Sequence, residues 1–117
     1  MNMKKIRVTI WHEYGAEKLH EVVSRLYPEG QHKALADMLM QESDDFDITV
    51  SELSQPELGL PDNLLENTDV LVWWSHFRHD MVPDDLCEKI MNRVRRDGMG
   101  FIALHSSHGA KPFDRLV

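Results

Sequence analysis

The period of the hydrophobic positions changes several times along this chain, and each change marks an element. In Lys5 to Trp11, "KIRVTIW", Ile6, Val8 and Ile10 alternate with Arg7, Thr9 and Trp11, which is the two-residue period of a strand. From Ala16, the residues Ala16, Leu19, Val22, Val23 and Leu26 recur at helical spacing and stop at "YPEG", so a short amphipathic helix is expected before Gly30. A second helix follows in "QHKALADMLMQE", where Ala34, Leu35, Met38 and Leu39 share one face, and the acidic "ESDD" ends it in a turn. Phe46 to Leu53, "FDITVSEL", returns to strand. "SQPELGLPDNLLENT" carries two prolines and a glycine, which predicts a connecting loop with at most one helical turn near Asn63 to Glu66.

Asp69 to Trp74, "DVLVWW", is apolar throughout after its first residue, the pattern of a strand covered on both faces and the best candidate for a central one. Pro83 opens "PDDLCEKIMNRVRRDG", with Leu86, Cys87, Ile90, Met91 and Val94 on one face, acids in the first turn, arginines in the last and Gly98 as the stop. Met99 to Leu104 is another apolar strand, and "KPFDRLV" begins a further helix. No internal repeat or low-complexity stretch interrupts this order. Strand and helix alternating in this way predict a parallel sheet with right-handed crossovers, a flavodoxin-like three-layer α/β sandwich, as a single domain over residues 1–117.

Charge and composition narrow the function. Twenty acidic against 13 basic residues give a formal charge of −7, a field that repels phosphate backbones and anionic membranes, so neither nucleic acid nor membrane is an expected partner. No apolar run approaches the roughly 20 residues that span a bilayer, and "MNMKK" leads into a short alternating segment, so the cytoplasm is the expected location. The single cysteine, Cys87, excludes an internal disulfide and any multi-cysteine metal site; on the apolar face of its helix it reads as a buried, inert thiol.

In doubly wound sheets ligands bind beyond the carboxyl ends of the strands. His12 and Glu13 follow the first predicted strand, Ser75, His76 and His79 the third, and His105, Ser106, Ser107 and His108 the fourth. His76 with His79, and His105 with His108, form two H-x-x-H pairs on neighbouring strands. Such imidazoles could hold zinc or a similar divalent cation, with Glu13 or Asp80 adding an oxygen. Metal-free acid/base chemistry is an equal alternative, because imidazole titrates near neutrality. Ser106 and Ser107 lack the glycines of a hydrolase elbow, which leaves helix capping or hydrogen bonding to a substrate. Trp73 and Trp74 read as sheet packing, whereas Trp11 at the rim could offer a flat apolar face to a sugar ring. The cluster Arg93, Arg95 and Arg96 completes a helix end and needs no ligand.

The segments "VTIWHEY", "YPEGQHKALA", "TDVLVWWSHFRHDMV" and "GMGFIALHSSHGAKPFDRL" resemble, in order, those of the trehalose-utilisation ThuA-like family, whose fold is that of class I glutamine amidotransferases. The resemblance covers nearly the whole chain, above all in the tryptophan pair followed by H-x-x-H and in the L-H-S-x-H elbow. It implies a bacterial cytoplasmic protein of trehalose and related disaccharide breakdown, acting on oxidised (3-keto) sugars. His105 stands where amidotransferases carry their nucleophilic cysteine, so glutaminase chemistry is not implied. On this footing His105, His108 and Glu13 are the candidate catalytic groups. His12, Trp11, Ser75, Ser106 and Ser107 are the candidate sugar contacts, and His76, His79, His105 and His108 the candidate metal ligands. A non-catalytic sugar-binding or assembly module is the alternative. Family members run to about twice this length, so the chain corresponds to an N-terminal portion, and an open apolar sheet edge makes a homo-oligomer the expected assembly.

Overall fold

The structure is a computed structural model and describes residues 4–13, 21–75, 81–104 and 107–116. Its described elements run β1 (Ile6–His12), α1 (Glu21–Leu26), α2 (Gln31–Glu42), β2 (Phe46–Glu52), a 3-10 segment (Pro56–Gly59), α3 (Asp62–Glu66), β3 (Val70–Trp74), α4 (Asp84–Asp97), β4 (Gly100–Ala103), a 3-10 turn (Ser107–Gly109) and α5 (Lys111–Leu116). The four strands form one parallel sheet in the order β2-β1-β3-β4. The flavodoxin-like arrangement predicted from the alternation is therefore present. The predicted start of the first helix, Ala16 to Leu19, lies outside the described residues.

Two cores flank the sheet. On one face Trp11, Leu71 and Trp73 pack with Leu65 of α3 and Leu86 and Ile90 of α4, and Phe113 of α5 joins them. On the other, Val8, Ile10 and Val72 pack against Ala36 of α2, flanked by Leu35 and Leu39. Helices on both faces explain why β3 is apolar at every position. β1 differs from its alternating pattern for the same reason: from Val8 to His12 every residue is buried, so Thr9 and Trp11 point into a core and not to solvent. The Thr9 hydroxyl is satisfied at 2.7 Å by that of Thr68.

Trp11 and Trp73 are register partners on adjacent strands and stack with ring centroids 4.0 Å apart. Both are fully buried, and each indole N–H has an acceptor, Leu58 O at 2.7 Å for Trp11 and Ser75 Oγ at 3.0 Å for Trp73. Trp11 is therefore a core residue, 0% exposed. It was placed at the rim by its position next to the strand end; side-chain alternation turns it into the core instead.

The face of α2 also needs correction. His32, Leu35, Ala36 and Leu39 line the buried stripe, whereas Ala34 and Met38 are exposed. The helix is rotated by about one residue from the predicted setting, and the stripe begins with a histidine. α4 matches expectation: Leu86, Cys87, Ile90 and Met91 are buried, and Gly98 ends the helix in the left-handed conformation at φ 75°. Arg93 extends back to donate to Leu65 O (3.0 Å) and Thr68 O (2.6 Å), tying α4 to the turn before β3. At the opposite strand ends Arg7 grips Asp69 through two side-chain bonds of 3.0 and 2.8 Å, and these hydrogen bonds hold the Asp69 carboxyl down at about 2.

Gly59 closes the 3-10 segment at φ 75°, against the backbone of Glu52. A Cβ there would lie 2.5 Å from Glu52 O, so no other residue fits without moving β2.

Truncating Trp73 to alanine removes one half of the indole stack from a fully buried site. We expect Trp73→Ala to lower the stability of the chain by about 3–5 kcal/mol, read from the urea midpoint. A loss below about 1 kcal/mol would show that the stack is not central to the core.

Candidate functional site

Because all strands are parallel, their carboxyl ends share one rim. β1 lies where the chain order reverses, with β2 on one side and β3 on the other, and the crevice at such a reversal is where doubly wound folds bind ligands. Three backbone bonds extend the sheet past its formal ends and fix this rim: Glu13 N to Trp74 O (3.2 Å), Leu53 N to His12 O (3.1 Å) and Leu104 N to Trp73 O (2.9 Å).

His12 ends β1 with Glu52 and Trp74 as its register partners on either side. Its ring stacks on His32 from α2 at a centroid separation of 5.0 Å and meets Trp74 edge-on at 5.3 Å. Burial and the neighbouring His32 push the His12 imidazole down to about 4, against the pull of the Glu13 and Glu52 carboxylates. The ring is therefore neutral at physiological pH, able to donate from one nitrogen and accept at the other. Glu13, the next residue, is 2% exposed. A buried carboxylate costs several kcal/mol unless neighbours compensate it, and this one is held at the reversal point of the sheet.

His32 Nε2 lies 3.2 Å from Glu52 Oε2, and Ser54 Oγ donates to the other carboxylate oxygen at 2.6 Å. Neither His32 nor Glu52 was singled out in the sequence. The signal for His32 was the helical stripe: spacing i, i+3, i+4 and i+7 places it on the same face as Leu35, Ala36 and Leu39. Glu52 carries no comparable local signal, because only the β1–β2 register brings it beside His12.

The serines at the rim serve the framework. Ser107 is fully buried; its hydroxyl accepts from Ser75 N at 3.0 Å and lies 3.2 Å from Trp73 O and 3.3 Å from Ser75 O, close enough to donate to either. Ser75 is 1% exposed, and its hydroxyl accepts from the Trp73 indole. Both are buried, and their hydroxyls close the turn after β4 onto the end of β3. Cys87 is in the core, and burial raises its thiol, as expected of an inert one. His76, His79, His105 and Ser106 lie outside the described residues, as does the side chain of His108. Among the described residues no group of three His, Cys, Asp or Glu side chains could hold a metal ion.

Two clefts adjoin this cluster. One of about 310 Å³ is lined by His32, Glu52, Lys33 and Glu29. The other, of about 410 Å³, is mostly apolar, with Trp74, Tyr27, Met38 and Leu104 in its walls. Trp74, half-buried beside His12, is thus the rim tryptophan that retains an open surface.

A family model described as trehalose utilisation, ThuA, matches residues 7–117. The chain belongs to the ThuA family. The match runs from the second residue of β1 through α5, so the rim set out above is the rim of a ThuA domain and its general role is in trehalose utilisation. No curated protein matches this ThuA chain. No described helix is long and apolar enough to cross a membrane.

The His12 imidazole gives this ThuA domain a definite acid response. With the folded-state value near 4 and the ordinary one at 6.5, the unfolded chain binds more protons between them, so stability falls as pH drops through that window and levels off below it. The limiting loss is about 3 kcal/mol. His12→Gln should flatten this part of the profile, leaving the further loss below about 3.8 that belongs to Asp69 and Asp84. Equal slopes in the two proteins between pH 6.5 and 4, by chemical denaturation, would contradict the assignment.

Proposed function

We propose that this ThuA protein acts in the bacterial cytoplasm on a keto-sugar formed during trehalose or related disaccharide breakdown, by isomerisation or elimination at the strand-end rim. The observation that supports it most is the Glu13 carboxyl, kept 2% exposed at the reversal point and next in sequence to the neutral His12 imidazole. A carbonyl on the sugar ring acidifies the adjacent C–H. A carboxylate or imidazole base, Glu13 or His105, removes that proton and the electron pair moves onto the carbonyl oxygen. Moving the hydroxyl proton of that carbon to the enolate oxygen, and delivering the abstracted proton to the former carbonyl carbon, exchanges carbonyl and hydroxyl and completes an isomerisation. Expelling the oxygen substituent one carbon further on, protonated by His108, completes an elimination.

His12 donates to or accepts from a sugar hydroxyl, with Ser106 as a second hydroxyl contact, and Trp74 offers its surface to the apolar side of the ring. His76, His79, His105 and His108 are the residues that would hold a divalent cation, zinc foremost, whose chemistry there is polarisation of the carbonyl.

Glu13→Gln should reduce turnover of a 3-keto-glucoside by about 10²–10⁴-fold while the far-UV spectrum and melting temperature stay near those of the parent. His105→Ala should do the same. Wild-type protein that binds the sugar without consuming it would favour a sugar-binding or assembly module; an unchanged rate in both variants would remove these groups from the mechanism.

Besides the sugar, the partner we propose is a second copy of the chain. The outer edge of β4 pairs with no described strand, Gly100–Ala103 carries no charge, and Ile102 is 49% exposed, which leaves the edge without the usual safeguards against strand addition. Sedimentation should show a dimer at micromolar concentration that Ile102→Lys shifts to monomer. A wild-type monomer throughout would refute the assembly.

A further inference from the structure

The proposed function uses His12 and Glu13 but gives no role to the pair beneath them. That pair is built with some care. Glu52 is held on three sides: its backbone by the β1–β2 register, its N–H by Gln55 Oε1 at 2.9 Å, and its carboxylate by Ser54 Oγ at 2.6 Å. The remaining carboxylate oxygen faces His32 Nε2 at 3.2 Å. The His32 side chain is 4% exposed, whereas that of Glu52 is 22% exposed along the 310 Å³ cleft. Glu52 thus reaches the cleft while it hydrogen-bonds a ring that is out of water. That ring is nearly parallel to His12, at 23°.

We infer that His32, anchored by Glu52, is a positioning residue that sets the plane of the His12 imidazole at the rim. This rests on the proposed reading of His12 as a substrate contact. Trp74 braces the same ring edge-on from β3, so His12 is held between one flat and one perpendicular neighbour. The flat neighbour comes from α2, because the residues flanking His12 within β1 point to the opposite core. The titratable groups around His12 among the described residues are His32 from α2, Glu52 from β2 and Glu13 next to it, while Trp74 from β3 carries no charge. Protonating His32 opposes protonating His12, so the brace also holds the rim imidazole neutral.

The test compares His32→Ala with His32→Phe in the full chain, following the His12 ring by NMR titration. The alanine variant removes the stacked ring and admits water; His12 should move up from about 4 toward its ordinary value and lose the ring-current shift of its neighbour. The phenyl ring keeps the stack without the charge, and should retain the ring-current shift. Turnover of a 3-keto-glucoside should fall about ten-fold or more in the alanine variant, in kcat rather than KM, and be largely recovered in the phenylalanine variant. An unchanged His12 titration and unchanged ring shifts in His32→Ala overturn the inference. Should His32→Ala fail to fold, Glu52→Gln serves: loss of the stack's ring-current shift supports the brace, and its full retention refutes the anchoring by Glu52. The NMR outcome as expected in a protein without turnover would leave the positioning role standing and refute the catalytic reading alone.

Discussion

Much of this domain depends on two indoles occupying one level of the sheet. Trp11 and Trp73 are the largest fully buried side chains, and they are register partners. Stacked at 4.0 Å, they commit β1 and β3 to a single alignment, because a slip of one residue would put the two rings on opposite faces of the sheet. Their indole nitrogens extend the same constraint outward. One ties the sheet to the 3-10 segment at Leu58, the other to Ser75 at the end of β3. The residues that follow the two tryptophans, His12 and Trp74, are thereby delivered side by side at the rim on the opposite face. The hydrophobic stack and the polar cluster are alternate positions of the same two strands.

The succession of elements was legible in the sequence because each rests on a local period. The limits of α2 and the start of β2 agree with the patterns, and α4 is displaced by no more than its cap. What could not be read locally was which side chains meet. Trp11 looked like a rim residue because it ends an alternating run, but a strand covered on both faces hides both parities. Ala34 and Met38 looked like core because they are apolar, and yet His32 occupies the buried stripe while Met38 faces solvent. Here a polar residue was passed over on a face judged by hydrophobicity alone. Glu52 was invisible for a different reason: it is an ordinary acidic residue at the end of a strand until parallel pairing brings it level with His12.

The serines illustrate the reverse case. Hydroxyls next to histidines after a strand invite a role in binding, and Ser107 instead spends its hydrogen-bonding capacity on the backbone of Trp73 and Ser75. Membership of the ThuA family gives the fold and a general role in trehalose utilisation. The described part of the rim is unusual in its composition, combining a buried carboxylate, two stacked imidazoles and a partly solvated carboxylate within the reach of two strands and one helix.

The close approach of Gly59 to the Glu52 backbone has a consequence for how such a domain can be altered. The segment between β2 and β3 is long and exposed over residues 54–57, the kind of stretch in which sequence drift and engineered insertions are ordinarily tolerated. Here it is latched to the strand that supplies Glu52, so a side chain introduced at one end of the latch displaces the carboxylate at the other. Loop grafting from Pro56 to Gly59 would thus change the rim without touching any residue of it, and a redesign that wishes to preserve the rim must carry Gly59 and Glu52 together as one inherited unit.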